Sequence, residues 1–234
     1  MKKRRTSEAA ASAQILEKPE SLWRSMWDSL KENRAAMISL FVIAALVLIA
    51  VTTAIFPKIL PYDPYDQDLS QAKLWPSPAH ICGTDQNGRD IFARILVGTQ
   101  ISLSVGLAAV TISLVIGVVL GAIAGYRGGK IDAVIMRFMD IMLSIPSILL
   151  AIAFMAALGK GIDKAVIAIG LVSIPEYARI VRSQILSVKE NDYVQAARVI
   201  GDKDGRIIFR HILPNVTSSI VVRATLGISS AVLD

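Results

Sequence analysis

Three long runs without a charged residue constrain this chain more than anything else in it. Residues 35–56 make a run of 22, residues 98–126 a run of 29 and residues 141–159 a run of 19. A helix needs about 20 apolar residues to cross the hydrocarbon core of a bilayer. One such run fits a buried helix of a soluble protein. Three of them in 234 residues, 53% hydrophobic and 19% charged, leave too little polar surface for a soluble domain, which carries about 25% charged residues. The sequence therefore predicts an all-α, polytopic membrane protein.

Two weaker runs bring the expected total to about five transmembrane helices. Residues 162–181 cross only by recruiting Lys164, Glu176 and Arg179 near the ends, where long side chains can snorkel; a re-entrant segment is the alternative. Residues 215–233 hold Arg223 near the middle, with no second charge beside it in the sequence. An ionisable residue at that depth faces a cavity or a partner, so Arg223 is a candidate pathway residue.

The net charge of +6 follows topology rather than nucleic-acid binding. Segments 1–34, 126–140 and 176–213 hold 8, 3 and 7 Lys and Arg, whereas 57–98 and 159–164 hold 4 and 2. The positive-inside rule places the N-terminus and the 176–213 loop in the cytoplasm. Residues 1–34 read as a basic tail that touches lipid, followed by an interfacial helix carrying Trp23 and Trp27. Residues 35–56 are the first transmembrane helix and 57–98 an extracytoplasmic segment. In that segment Thr84 or Asp85 is expected to cap a short helix over Ile91–Leu96. Residues 99–234 form the remaining membrane domain, with a loop at 176–214.

Within that domain Gly117, Gly121 and Gly125 stand four apart, a spacing that lets another helix approach closely. Residues 131–158 are expected to form one helix kinked at Pro146, with Arg137 and Asp140 paired at i, i+3. No catalytic group, cofactor or metal site is expected. Cys82 is a lone thiol, and Gly129-Lys130-Ile131, with Ala124 where the first glycine is required, fails the P-loop pattern.

The 193–214 stretch is basic and polar between apolar runs. It reads as two short helices, 193–200 and 204–211, broken at Gly201, with Ala196 and Ala197 small enough for another protein surface to approach. Gln195-Ala196-Ala197, three residues, Gly201, nine residues, His211, one residue, Leu213-Pro214 resembles the EAA motif of bacterial ABC importer permeases. Gly83-Thr-Asp-Gln-Asn-Gly-Arg-Asp90, followed by Ala93-Arg94, Gly98 and Ile101-Ser102-Leu103, is similar to the outer segment of the peptide and nickel permeases, second-subunit type, as is Tyr177-Ala-Arg-Ile-Val-Arg182 ahead of Tyr193. Gln195 stands where the family motif usually has Glu.

The resemblance implies an ABC type-1 permease fold in the inner membrane of a bacterial cell. It implies a second permease subunit, two ATP-binding subunits and an external solute-binding protein as partners. Tyr193, Gln195, Ala196, Ala197, Gly201, His211, Leu213 and Pro214 would couple the chain to the ATPase. Peptides are the leading substrate class, and nickel or another small solute is the alternative. Members of the family continue into a sixth span, so the resemblance also implies a truncated chain, with a defective permease as one reading. A secondary transporter working alone is the rival mechanism, with Arg223 its deep ionisable group.

Overall fold

The structure is a computed structural model and describes Trp27, Asp28 and residues 30–233. The basic tail and most of the expected interfacial helix, Trp23 included, lie outside the described residues. Trp27, Asp28 and residues 30–32 are helical, with Lys31 3.9 Å from Asp28 and 5.5 Å from the Trp27 ring centroid.

Every regular element among the described residues is helical. Helix α1 (Arg34–Ile55) starts where Asn33 Oδ1 accepts the Ala36 amide at 3.2 Å. It ends at Phe56, ahead of a 3₁₀ turn, Pro57–Ile59. Large side chains such as Ile38, Phe41 and Leu48 are exposed on it, as a helix whose solvent is lipid requires. It belongs to one compact unit, ending at Leu60; a second unit holds everything from Pro61 onward.

In the second unit, residues 61–90 fold into turns and a 3₁₀ helix (Leu69–Gln71) that set the start of helix α2 (Ile91–Arg127). The cap is Asp90, not Thr84 or Asp85. Asp90 Oδ1 accepts the Ala93 amide at 2.7 Å and Oδ2 meets His80 Nδ1 at 2.8 Å. Thr84 instead donates to the Gln71 carbonyl and accepts the Leu74 amide. Asp85 ties its own turn through Asn87 and Arg89. The short helix expected at residues 91–96 is not separate. It is the first turns of α2, a continuous 37-residue helix.

Residues 129–158 form two helices rather than one kinked helix: α3 (Gly129–Leu143) and α4 (Ser147–Leu158) meet at 97°. Pro146 occupies the N-cap position of α4. It disfavours the helical conformation of Ile145 before it, which accounts for a break rather than a bend. Helix α5 (Ile162–Val188) then runs unbroken for 27 residues with Pro175 inside it, which agrees with the expected crossing helix rather than with the re-entrant alternative.

Helices α2 and α5 form the central pair. A Cβ at Gly117 would stand 2.5 Å from Tyr177 Cβ, one at Gly121 2.9 Å from Val181 Cβ, and one at Gly125 2.9 Å from the Arg182 carbonyl oxygen. The three glycines thus let two backbones touch where side chains would hold them apart. Helix α3 is fastened to α5 by Asp132–Arg182 (2.5 Å) and Asp140–Arg179 (2.6 Å). Asp140 pairs with Arg179, not with the expected neighbour Arg137, because α5 brings a guanidinium to that carboxylate.

By length and composition α1, α2 and the final helical run Asp204–Leu233 can each cross a membrane, and α3 with α4 qualifies jointly as a broken span. That makes three or four where the sequence reading expects about five. Helix α5 is about 40 Å long at 1.5 Å per residue, but it carries Glu176, Arg179 and Arg182 within its length.

Candidate functional site

The basic stretch around Gly201 begins with helix α6 (Asp192–Val199), preceded by Asn191 in extended conformation at the N-cap. The Asn191 side chain makes no capping bond. The helix ends in a Schellman arrangement: the Asp202 amide donates to the Ala197 carbonyl at 3.1 Å and the Gly201 amide to the Arg198 carbonyl at 3.0 Å. Gly201 has φ +91°, a conformation that a Cβ makes costly.

The second short helix, expected at residues 204–211, is not an independent element. Asp204–Arg206 is α-helical, Ile207–Ile212 is π-helical and Leu213–Leu233 is α-helical. Together they form one run, Asp204–Leu233, named α7. Pro214 therefore does not begin a new helix. It lacks an amide hydrogen and its ring crowds the carbonyl four residues back. The wider π turn absorbs this, with the Leu213 amide donating to the Ile208 carbonyl, an i to i−5 bond. Asn215 Nδ2 donates to the His211 carbonyl at 2.6 Å.

One face of this corner is anchored inside the chain. Val194, Ala197, Ile207, Ile208 and Ile212 are buried in a cluster with Ala122 and Tyr126 of α2 and Val181 and Ile185 of α5. Polar contacts fasten its rim. The Tyr126 hydroxyl donates to Asp204 Oδ1 at 3.2 Å, and Arg198 lies 5.1 Å from the Tyr126 ring centroid. Across the break, Asp202 Oδ1 accepts from Arg206 at 3.0 Å, and Asp202 Oδ2 lies 3.4 Å from His211 Nε2. His211 thus ties the π turn to the residue after Gly201.

The other face is open. Tyr193, Ala196, Gly201 and Pro214 are exposed, and Gln195, His211 and Leu213 are half-buried. Ala197 is only 6% exposed. Of the two alanines, only Ala196 presents its surface outward. The largest exposed apolar surface belongs to Val199 (88%) and Ile200 (83%), with Phe209 at 68%. Val199 and Ile200 were not singled out from the sequence. Two adjacent β-branched residues directly before a helix-ending glycine, where a polar C-terminal turn is ordinary, were the available signal.

Arg223 lies away from this corner. It does have a second charge beside it, supplied from α5: its guanidinium pairs with Glu176. It also sits 5.7 Å from the Tyr177 ring centroid. The sequence, in which the two residues stand 47 positions apart, gave no sign of this pairing. Among the described residues no cluster of His, Cys, Asp and Glu could hold a metal ion.

Residues 117–234 match the family described as the binding-protein-dependent transport system inner membrane component. Residues 21–76 match the N-terminal TM domain of oligopeptide transport permease C. The chain is similar to the dipeptide transport system permease protein DppC of Alkalihalophilus pseudofirmus, 46% identical over 215 residues, which are 92% of this chain and 69% of that protein. It is similar to the oligopeptide transport system permease protein OppC of Bacillus subtilis, 40% identical over 228 residues, 96% of this chain and 74% of the relative. It is also similar to the glutathione transport system permease protein GsiD of Pectobacterium atrosepticum, 42% identical over 214 residues, 90% and 69% of the two chains. A domain of closely packed apolar helices agrees with these matches, and the chain belongs to the family of binding-protein-dependent transport system inner membrane components.

Proposed function

We propose that this chain is a membrane-spanning permease subunit of an ATP-driven importer of di- and oligopeptides, and that the corner around Gly201 is where an ATP-binding subunit docks. The observation that carries the docking assignment is the two-sided build of α6. Val194 and Ala197 are buried against α2, α5 and α7, while Tyr193, Ala196, Val199 and Ile200 face outward. A push on the outward face reaches the membrane helices through packed side chains, and packed interfaces respond by rigid-body movement. Gln195, Gly201, His211, Leu213 and Pro214 set the shape of the corner.

The peptide substrate class rests on relatives named for dipeptides, oligopeptides and glutathione; the nickel alternative is not favoured. The proposed assembly contains a second permease subunit, two ATP-binding subunits and an external solute-binding protein in a bacterial inner membrane. ATP hydrolysis belongs to the partners, and this chain makes and breaks no covalent bond. The proposed division is a tail and interfacial helix at 1–34, a first span at 35–56, an extracytoplasmic segment at 57–98 and the permease domain at 99–234, with 176–214 as coupling loop. Uptake of a labelled dipeptide by vesicles holding the complete assembly tests the reading. ATP- and binding-protein-dependent uptake supports it. Uptake by this chain alone, without ATP, would favour the secondary-transporter mechanism.

A further inference from the structure

A cavity of about 410 Å³ lies among α2, the α3–α4 bend, α5 and α7. Its volume falls within the range of about 300–1,000 Å³ typical of small-ligand sites. Arg223 and Glu176 face each other in its wall, with Tyr177, Ser113, Ser173 and Ser230 around them. The guanidinium is not used up by this pairing: Arg223 Nε is buried and has no hydrogen-bond partner among the described residues. A buried donor left unsatisfied is costly, and once the side chain turns to bring Nε and one Nη to the cavity they form the fork that takes a carboxylate in a bidentate grip. Ser173 donates to the Ile169 carbonyl of its own helix, which leaves its oxygen lone pairs free for an amide N–H.

We propose that Arg223 and Glu176 form a subsite for zwitterions, reading the free carboxylate and free ammonium of a short peptide as it passes. The ligand's carboxylate takes the Arg223 fork, and Glu176, released from Arg223, receives the ammonium. The wall carries one positive and one negative group, so a ligand with both charges keeps every charge paired. A simple anion would strand Glu176 and a simple cation would strand Arg223, each leaving one charge of the wall unpaired; the penalty is larger for Arg223, whose side chain is 27% exposed against 47% for Glu176. The subsite rests on the peptide-importer reading above, and it adds a requirement for free termini that acts within the membrane domain.

The experiment measures equilibrium binding of radiolabelled dialanine to the assembled importer in lipid nanodiscs, with the external binding protein left out. Unlabelled dialanine, N-acetyl-dialanine and dialanine amide are the competitors. Saturable binding is expected, with neither capped peptide competing. Arg223→Gln and Glu176→Gln should each weaken binding by about 30-fold or more. The exchanged pair, Glu176→Arg with Arg223→Glu, should assemble and regain part of the loss. Absence of saturable binding, equal competition by the capped peptides, or unchanged affinity in the single variants overturns the subsite. The competition uses the wild type alone and decides the matter even where a variant does not assemble. Dialanine uptake by the wild type with its binding protein present is measured alongside: failure of uptake overturns the peptide reading itself, whereas normal uptake with any of the negative results above overturns only the subsite.

Discussion

Gly117 of α2 lies against Tyr177 of α5 so closely that a Cβ on the glycine would stand 2.5 Å from the tyrosine Cβ. The neighbouring atoms at Gly117 include the Ala178 amide nitrogen and the Ile174 carbonyl, each 3.1 Å from the same point, so the obstruction includes backbone and cannot rotate away. Gly117→Val should destabilise the α2–α5 pair by about 1–3 kcal/mol or more. Thermal aggregation of the detergent-solubilised assembly is the measurement; an unchanged midpoint would contradict the close contact.

Gly201 poses the opposite case, since nothing lies within 4 Å of a Cβ built there. The cost of Gly201→Ala is therefore conformational, about 1–2 kcal/mol for a positive φ. The variant should assemble in normal amounts but expose α6, seen as faster amide exchange over Asp192–Val199, with a loss of coupling between ATP hydrolysis and uptake. A change confined to subunit assembly would argue against a role for the break in transmission.

The two ion pairs between α3 and α5 should differ in strength. Asp132 and Arg182 are 16% and 31% exposed, Asp140 and Arg179 are 53% and 56%. Solvent screens the second pair, and such pairs contribute about 0–1 kcal/mol. Double-mutant cycles on the stability of the assembly should give the larger coupling to Asp132–Arg182. Equal couplings would contradict the ranking.

Acid should loosen the turn before α2. At Asp85 burial opposes ionisation, but the Arg89 and Asn87 amides and the Arg89 guanidinium outweigh it and hold the carboxyl below its usual range. A lowered folded-state pKa means that the stabilisation is fully present above the ordinary aspartate value of about 3.9 and disappears as pH falls through the depressed value. Limited proteolysis of residues 61–90 should show Asp85→Asn cut faster than wild type at neutral pH, with the two converging as the pH drops below 4. A constant difference across that range would assign the effect to something other than the carboxylate.

Much of this architecture was legible because lipid removes the option of solvating charge: uncharged runs mark α1 and α2, and the four-residue glycine spacing marks the face that α5 covers. What stayed hidden was whatever depended on a distant partner. Helix α5 looked like a weak span because its charges sit in its sequence while Asp132, Asp140 and Arg223, which pair them, sit elsewhere. Arg223 looked unpaired for the same reason. At the corner, motif and break were readable, but the π turn was not, since it resolves a conflict between Pro214 and a helix that continues through it. Nor could sequence separate Ala196 from Ala197, because their roles depend on the 100° turn between adjacent residues of α6.

That last distinction gives the most direct test of the coupling assignment. Single cysteines are placed at Ala196, Ala197 and Ile200 of the chain in membranes holding the complete assembly, and crosslinking to an ATP-binding subunit is scored. The account predicts crosslinks from positions 196 and 200, and little or none from the buried position 197. No crosslink from any of the three, or a crosslink from 197 as strong as that from 196, would contradict it.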